Sequence, residues 1–137
     1  MIYSEFKTKL LTLMPGRTEL PPEETVRDAT FRALKRVAKE TIPLRLRTTS
    51  ETSSILRKVG EDTLIRMPYE PYADDDDLDT DTALVDAVAY HVCSELEIQR
   101  KGHFLGYYDR EILLNNERLI ETELDLCDGE EGSQPWV

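Results

Sequence analysis

The sequence predicts a mainly α fold, a four-helix bundle-like domain with an inserted β-hairpin or loop and an extended C-terminal tail. Three observations predict this class. Apolar residues recur at helical spacing in four segments, strand-like residues interrupt them at about 42–68, and residues 125–137 lose the helical period. Because 137 residues suit one modest core, we predict a single helical domain over 1–124 and a tail over 125–137.

The first two helices are predicted from their boundaries as well as from their apolar spacing. Ser4 can cap a helix that runs to Leu13 or Met14, where Pro15-Gly16 ends it. Pro21-Pro22 opens a longer helix, because proline suits the first helical turn. The apolar stripe of this second helix contains Val26, Ala29 or Thr30, Ala33, Leu34 and Val37.

The insertion after the second helix is predicted to contain strands. Residues 42–49 alternate between apolar and polar, which is the period of a half-buried strand. Two further runs, 53–59 and 62–67, flank Gly60-Glu61 and predict a hairpin. A two-stranded hairpin is marginal alone, so its apolar residues need support from this chain or from a neighbouring one. Those residues are Ile55, Leu56, Leu64, Ile65 and Met67.

A proline- and aspartate-rich segment follows the hairpin. Pro68 and Pro71 lack the amide that a strand ladder needs, and adjacent carboxylates repel one another. The segment therefore predicts a solvated loop. Its acidic residues are candidates for an acidic channel or loop surface: Asp74, Asp75, Asp76, Asp77, Asp79 and Asp81.

The last two helices are predicted on either side of a glycine. Asp79 to Asp81 can cap a third helix that runs to about Lys101, and Gly102 is expected to end it. A fourth helix is predicted from about Leu105 to Leu124. The tail that follows includes Trp136, a large aromatic residue suited to a partner's pocket or to folding back on its own domain.

Charge is distributed unevenly along the chain. Residues 1–60 contain 12 Lys/Arg and 7 Asp/Glu, a net +5, whereas residues 61–137 contain 5 and 21, a net −16. If folding separates the two halves, a basic face of one copy could meet an acidic face of the next, head to tail. If the halves interleave, the asymmetry concerns only solubility.

Catalytic and metal-binding patterns are weak. The aspartates could attract Ca²⁺ or Mg²⁺, but they lack the glycine and glutamate of an EF-hand, which favours a solvated loop and no metal. His91 and Cys93 are two residues apart on a predicted helix and do not face each other. Neither a phosphate-binding glycine loop nor a nucleophile elbow occurs. We therefore expect no enzyme and no cofactor.

Partner classes are limited in the same way. The basic stretch from Arg27 to Arg47 could neutralise phosphates, but it contains no recognition-helix motif, and an acidic wall would instead let DNA pass without sticking. No apolar run approaches the roughly 20 residues that a membrane helix requires, so no membrane partner is expected. The N-terminus lacks a signal pattern, and Cys93 and Cys127 define no disulfide framework, which predicts an intracellular, reducing origin.

A family resemblance rests on the junction between the hairpin and the third helix. Leu64-Ile65-Arg66-Met67-Pro68, the acidic loop, Leu78-Asp79-Thr80-Asp81 and the run from Ala83 to Tyr90 together resemble the adaptor proteins of tailed-phage necks. These are also called head-to-tail connector or head-completion proteins. The resemblance covers roughly residues 20–124 and its motif is short and degenerate.

The resemblance implies a non-catalytic protein of the virion neck, assembled in the host cytoplasm. Copies would form a ring, expected to be dodecameric, under the portal protein, extend the DNA channel and contact the tail or a second neck protein. DNA would pass without sequence-specific binding. The hairpin at 49–67 would contact a neighbouring subunit or the tail, and the C-terminal tail would dock on the portal through Pro135, Trp136 and Val137.

Two alternatives stay open from the sequence. A tail-completion or tail-terminator protein would also form a ring, but would attach to the tail tube. A small acidic regulator or DNA mimic would use the same net charge of −11 without a ring.

Overall fold

The computed structural model describes residues 1–50 and 54–131, with side chains described up to residue 118. Within these residues the chain forms four α-helices and three short strands. The helices are α1 (Tyr3–Leu13), α2 (Glu23–Glu40), α3 (Val85–Leu96) and α4 (Lys101–Glu131), and the strands are β1 (Arg47–Thr48), β2 (Ile55–Lys58) and β3 (Leu64–Arg66). The predicted class, a helical bundle with an inserted hairpin, is confirmed.

Helix α3 is the centre of the bundle, and α1, α2 and α4 all pack against it. Its small and β-branched residues are buried on most of its circumference, as expected for a helix enclosed by others. The larger core side chains come from the surrounding helices, including Phe6 and Leu10 of α1, Leu34 and Val37 of α2, and Phe104 and Tyr108 of α4. Small residues at the centre thus let large ones approach from outside.

The three strands form an antiparallel sheet in the order β1-β3-β2. Ile65 in the central strand pairs with Arg47 on one side and Arg57 on the other. A second small core of Ala38, Leu46 and Ile65 attaches the sheet to the end of α2. The support that the predicted hairpin needs is therefore intramolecular.

The strand predicted at 42–49 is mostly wrong. Leu44–Leu46 form a single 3₁₀ turn after Pro43, and only Arg47 and Thr48 enter the sheet. The amides of Leu44 and Arg45 donate to the carboxylate of Asp81, at 2.7 and 2.8 Å, instead of to a strand ladder. A contact across 37 residues thus overrides the local alternation.

The predicted boundary between the third and fourth helices is also wrong. Helix α3 ends at Leu96, a 3₁₀ turn occupies Ile98–Arg100, and Gly102 is the second residue of α4. The guanidinium of Arg17 explains the early end, because it donates to the Leu96 carbonyl at 3.0 Å and to the Glu97 carboxylate at 2.9 Å. These bonds satisfy acceptors where the helix stops.

Helix α4 is longer than predicted. Residues 125–131, expected to begin the tail, continue it as far as Glu131. Gly129 is the only strong helix breaker in that segment, and one glycine costs only about 1 kcal/mol relative to alanine. Residues 132–137 lie outside the described part of the chain.

Candidate interaction site

Asp79 lies at the centre of a charged cluster that joins the hairpin to the acidic loop. Its side chain is 3% exposed and accepts hydrogen bonds from Arg66 Nη2 at 2.8 Å and from Arg45 Nε at 3.0 Å. The backbone amide of Tyr69 donates to the same carboxylate at 2.8 Å. We call this cluster, Arg45, Arg66, Asp79 and the Tyr69 amide, the Asp79 junction.

The environment of Asp79 keeps its carboxylate ionised. Burial alone would raise the pKa of Asp79, but the hydrogen bonds from Arg66 and the Tyr69 amide, together with the positive charge of Arg66, lower it. A charge buried in this way is tolerated only because several donors surround it. The junction is therefore a fixed structural connection between three separated parts of the chain.

This arrangement corrects the predicted roles of Asp79 and Asp81. Asp79 is buried, so it belongs to no acidic channel or loop surface. Asp81 lies just before the 3₁₀ turn Thr82–Leu84, but its side chain makes no capping bond there and instead holds the amides of Leu44 and Arg45. Neither carboxylate caps α3, which begins only at Val85.

The acidic loop is attached to the start of α1. The carbonyls of Asp76 and Asp74 accept hydrogen bonds from the amides of Tyr3 and Ser4, at 2.8 and 3.0 Å. These amides belong to the first turn of the helix, where no intrahelical acceptor is available. The carboxylate of Asp74 also forms an ion pair with Lys7 at 2.8 Å. Backbone contacts, which the sequence did not indicate, thus hold the loop in place.

The loop is further stabilised from within. The carboxylate of Asp76 accepts hydrogen bonds from the amides of Tyr72 and Ala73, at 2.9 and 2.8 Å. These two backbone donors lower the pKa of Asp76. The segment between the hairpin and α3 is therefore an ordered loop with a defined backbone.

Two tyrosines on this loop are exposed, Tyr69 by 69% and Tyr72 by 67%. Each ring has an arginine over its face, Arg66 at 4.6 Å from the centroid of Tyr69 and Arg27 at 5.4 Å from that of Tyr72. Tyr69 borders an open cleft of about 390 Å³. The other residues that line this tyrosine cleft are Arg45, Glu70, Pro71, Asp75, Asp76 and Asp77.

The hairpin residues that were predicted to contact a partner differ in how deeply the structure buries them. Ile65 is fully buried in the second core, and Leu56 packs against it, so Ile65 is not available to another subunit and this assignment is corrected. Ile55, Leu64 and Met67 are half-buried. The predicted docking residues Pro135, Trp136 and Val137 lie outside the described residues.

The two oppositely charged halves of the sequence interleave in the fold. Ion pairs between them include Lys7–Asp74, Lys9–Asp86, Arg17–Glu97, Arg32–Glu95 and Arg45–Asp79. Four arginines of the basic stretch at 27–47, Arg27, Arg32, Arg36 and Arg45, pair with carboxylates of this chain. The uneven distribution of charge along the sequence therefore does not produce a separate basic face and acidic face on the folded chain.

A polar network that the sequence did not reveal joins α2, α3 and α4. The Tyr108 hydroxyl donates to Glu40 at 2.8 Å, and Arg36 binds the same carboxylate at 2.9 Å. Arg36 Nη1 also lies 3.1 Å from His91 Nε2, while Nδ1 of this buried histidine has no hydrogen-bond partner among the described residues and lies 4.0 Å from Glu95 Oε1. Because arginine only donates, Nε2 must accept, which requires neutral His91.

The two side chains of α3 that could take part in nucleophilic chemistry, His91 and Cys93, are both buried. Burial lowers the pKa of His91 and raises that of the Cys93 thiol to about 12, so the thiol is not a nucleophile at neutral pH. Among the described residues, no group of three or more His, Cys, Asp or Glu could hold a metal ion. In the same part of the chain, no helix is long and apolar enough to cross a membrane.

Comparison of the chain with protein-family models, curated proteins and solved structures found no match.

Proposed function

We propose that the chain is a structural adaptor of a tailed-phage neck. In this proposal copies form a ring under the portal protein, extend the DNA channel and join the capsid to the tail. The protein performs no chemistry and needs no cofactor. Its task is to present fixed surfaces to its neighbours.

The Asp79 junction is the observation that carries the proposal. Two of the segments on which the resemblance to neck adaptors rests, 64–68 and 78–81, meet where Arg66 binds Asp79. The third segment, 83–90, follows 78–81 directly and forms the start of α3. Two parts of the motif that lie 13 residues apart in the sequence are thus joined directly in the fold. Such a joint suits an assembly protein, because binding surfaces held on an ordered loop lose little entropy when a partner binds.

The acidic surface suits passage of DNA. Asp74, Asp75 and Asp77 are exposed on the loop, and the chain has a net charge of −11. Phosphates are repelled by such a surface, so DNA would move past it without being retained. The pairing of most arginines in the basic stretch with carboxylates of the same chain is consistent with the absence of a DNA-binding role.

Binding to purified portal protein tests the proposal. We expect the full chain to bind portal rings, and a variant that ends at Glu131 to stay folded and bind weakly, because it lacks Trp136. A W136A variant separates the loss of the aromatic ring from the loss of the whole segment. Binding to purified tails but not to portal would replace the proposal with a tail-completion role, and a stable monomer that binds a DNA-handling enzyme would replace it with a regulatory one.

A further inference from the structure

Tyr69 and Tyr72 are exposed aromatic side chains on an ordered loop. The Asp79 junction fixes the backbone at Tyr69, and Asp76 fixes it at Tyr72. The Tyr72 hydroxyl also donates to Glu70 at 3.1 Å. Aromatic residues held in this way lose little freedom on binding, which is why they frequently dominate the affinity of protein interfaces.

The charge of the tyrosine cleft indicates what kind of partner fits. Four carboxylates line it, those of Glu70, Asp75, Asp76 and Asp77, against the single guanidinium of Arg45, which is already paired with Asp79. Asp75 and Asp77 are exposed and form no ion pair with any described residue. A concave surface of one charge sign attracts the opposite sign, and tyrosine faces attract cations, as the arginines over one face of Tyr69 and of Tyr72 illustrate.

We propose that the tyrosine cleft, together with the adjoining Tyr72, is a docking site for an arginine- or lysine-containing segment of a partner protein. A cationic side chain of that segment lies between a tyrosine face and the carboxylates of Asp75 and Asp77. This site needs neither the ring nor the portal, so it can be tested apart from the proposed adaptor role.

NMR titration of the ¹⁵N-labelled full chain with hexa-arginine peptide tests the site. We expect saturable shifts of the amide signals of Tyr69, Tyr72 and Asp75. The variants Y69A/Y72A and D75N/D77N should each bind about tenfold more weakly, because each removes two favourable contacts with the cation. Unchanged signals from α3 check that the variants are folded.

Two control variants separate docking from general attraction to an acidic protein. E61Q/D62N removes the same charge from the exposed hairpin turn and should change affinity by less than about twofold. Y69F keeps the ring face of Tyr69 and leaves the bond between Tyr72 and Glu70 in place, so it should bind like the wild type. Equal weakening by E61Q/D62N and D75N/D77N, or full affinity of Y69A/Y72A, would overturn the proposal, as would saturation of the same amides by CaCl₂ in place of the peptide.

Discussion

At the scale of single residues, Asp79 is the side chain on which the hairpin, the 3₁₀ turn at 44–46 and the loop depend together. It is buried and accepts from two arginines and one amide. Asn at this position would keep the size but lose the charge, leaving Arg66 and Arg45 without their anion. Removal of one partner from a buried ion pair is far more costly than the loss of an exposed charge.

We therefore predict that D79N lowers the free energy of unfolding by about 3 kcal/mol. Urea unfolding of D79N and of the matched control D77N measures this, because Asp77 belongs to the same loop but is exposed. D77N should lie within about 0.5 kcal/mol of the wild type. Equal stability of D79N and D77N would mean that the junction contributes nothing to folding.

His91 predicts a pH dependence. Burial lowers its pKa in the folded state, an effect that Arg36 increases and Glu95 opposes. The unfolded chain, with a histidine pKa of about 6.5, then binds the proton more readily than the folded one. Stability is therefore complete above about pH 6.5 and decreases as the pH falls towards the folded pKa.

Urea unfolding between pH 7.5 and about 5 tests this, since the carboxylates titrate mostly at lower pH. We expect H91Q to remove part of the decrease, by up to about 1.4 kcal/mol per pH unit, because glutamine can accept from Arg36 without binding a proton. An identical slope in H91Q and the wild type would contradict the assignment.

At the scale of elements, helix α4 contains Gly106 at a position where the fold does not require a glycine. Gly106 is exposed inside the helix, and a Cβ at this position would meet no atom within 4 Å other than those of its chain neighbours and the nearby backbone of its own helix. Alanine should therefore be accommodated without strain. We predict that G106A raises the free energy of unfolding by about 0.5–1 kcal/mol, measured by urea unfolding of the isolated chain. A destabilised G106A would show that the helix is not regular at this position.

The residue pattern within a segment predicted those elements whose ends are set by residues of the same segment. Helix α2 follows its apolar period and its prolines, and the hairpin follows its turn at Gly60. Helix α1 ends before Pro15 as predicted, but the predicted cap is wrong, because the helix begins at Tyr3 after Ile2 and Ser4 lies inside it. The failures have distant causes. Asp81 removes residues 44–46 from the predicted strand, and Arg17 ends α3 from 79 residues away. The apolar periodicity of a segment cannot reveal such contacts, because they join residues that only folding brings together.

The candidate site was predictable only in part for the same reason. A run of aspartates at 74–81 correctly indicated an acidic loop, but Asp79 differs from its neighbours through Arg45 and Arg66, which lie 34 and 13 residues away. The exposed tyrosines gave no sequence signal, since aromatic residues are as readily buried. The network of Glu40, Tyr108 and His91 joins residues on three helices and was equally hidden.

At the scale of the whole molecule, folding brings the basic and acidic halves of the sequence together, and their charges form ion pairs within the chain. Lys9–Asp86 and Arg32–Glu95 each join the basic half to the acidic half. Head-to-tail attraction between copies therefore cannot rest on the charge asymmetry of the sequence. The proposed ring would therefore need contacts of another kind between its copies.

Electron microscopy of DNA-filled, tailless heads mixed with this protein tests the adaptor role most directly, with purified portal mixed separately as the matched sample. The adaptor role predicts a ring of added density under the portal in both samples. Heads and portals that both remain without added density, at protein concentrations sufficient for saturation, would contradict it.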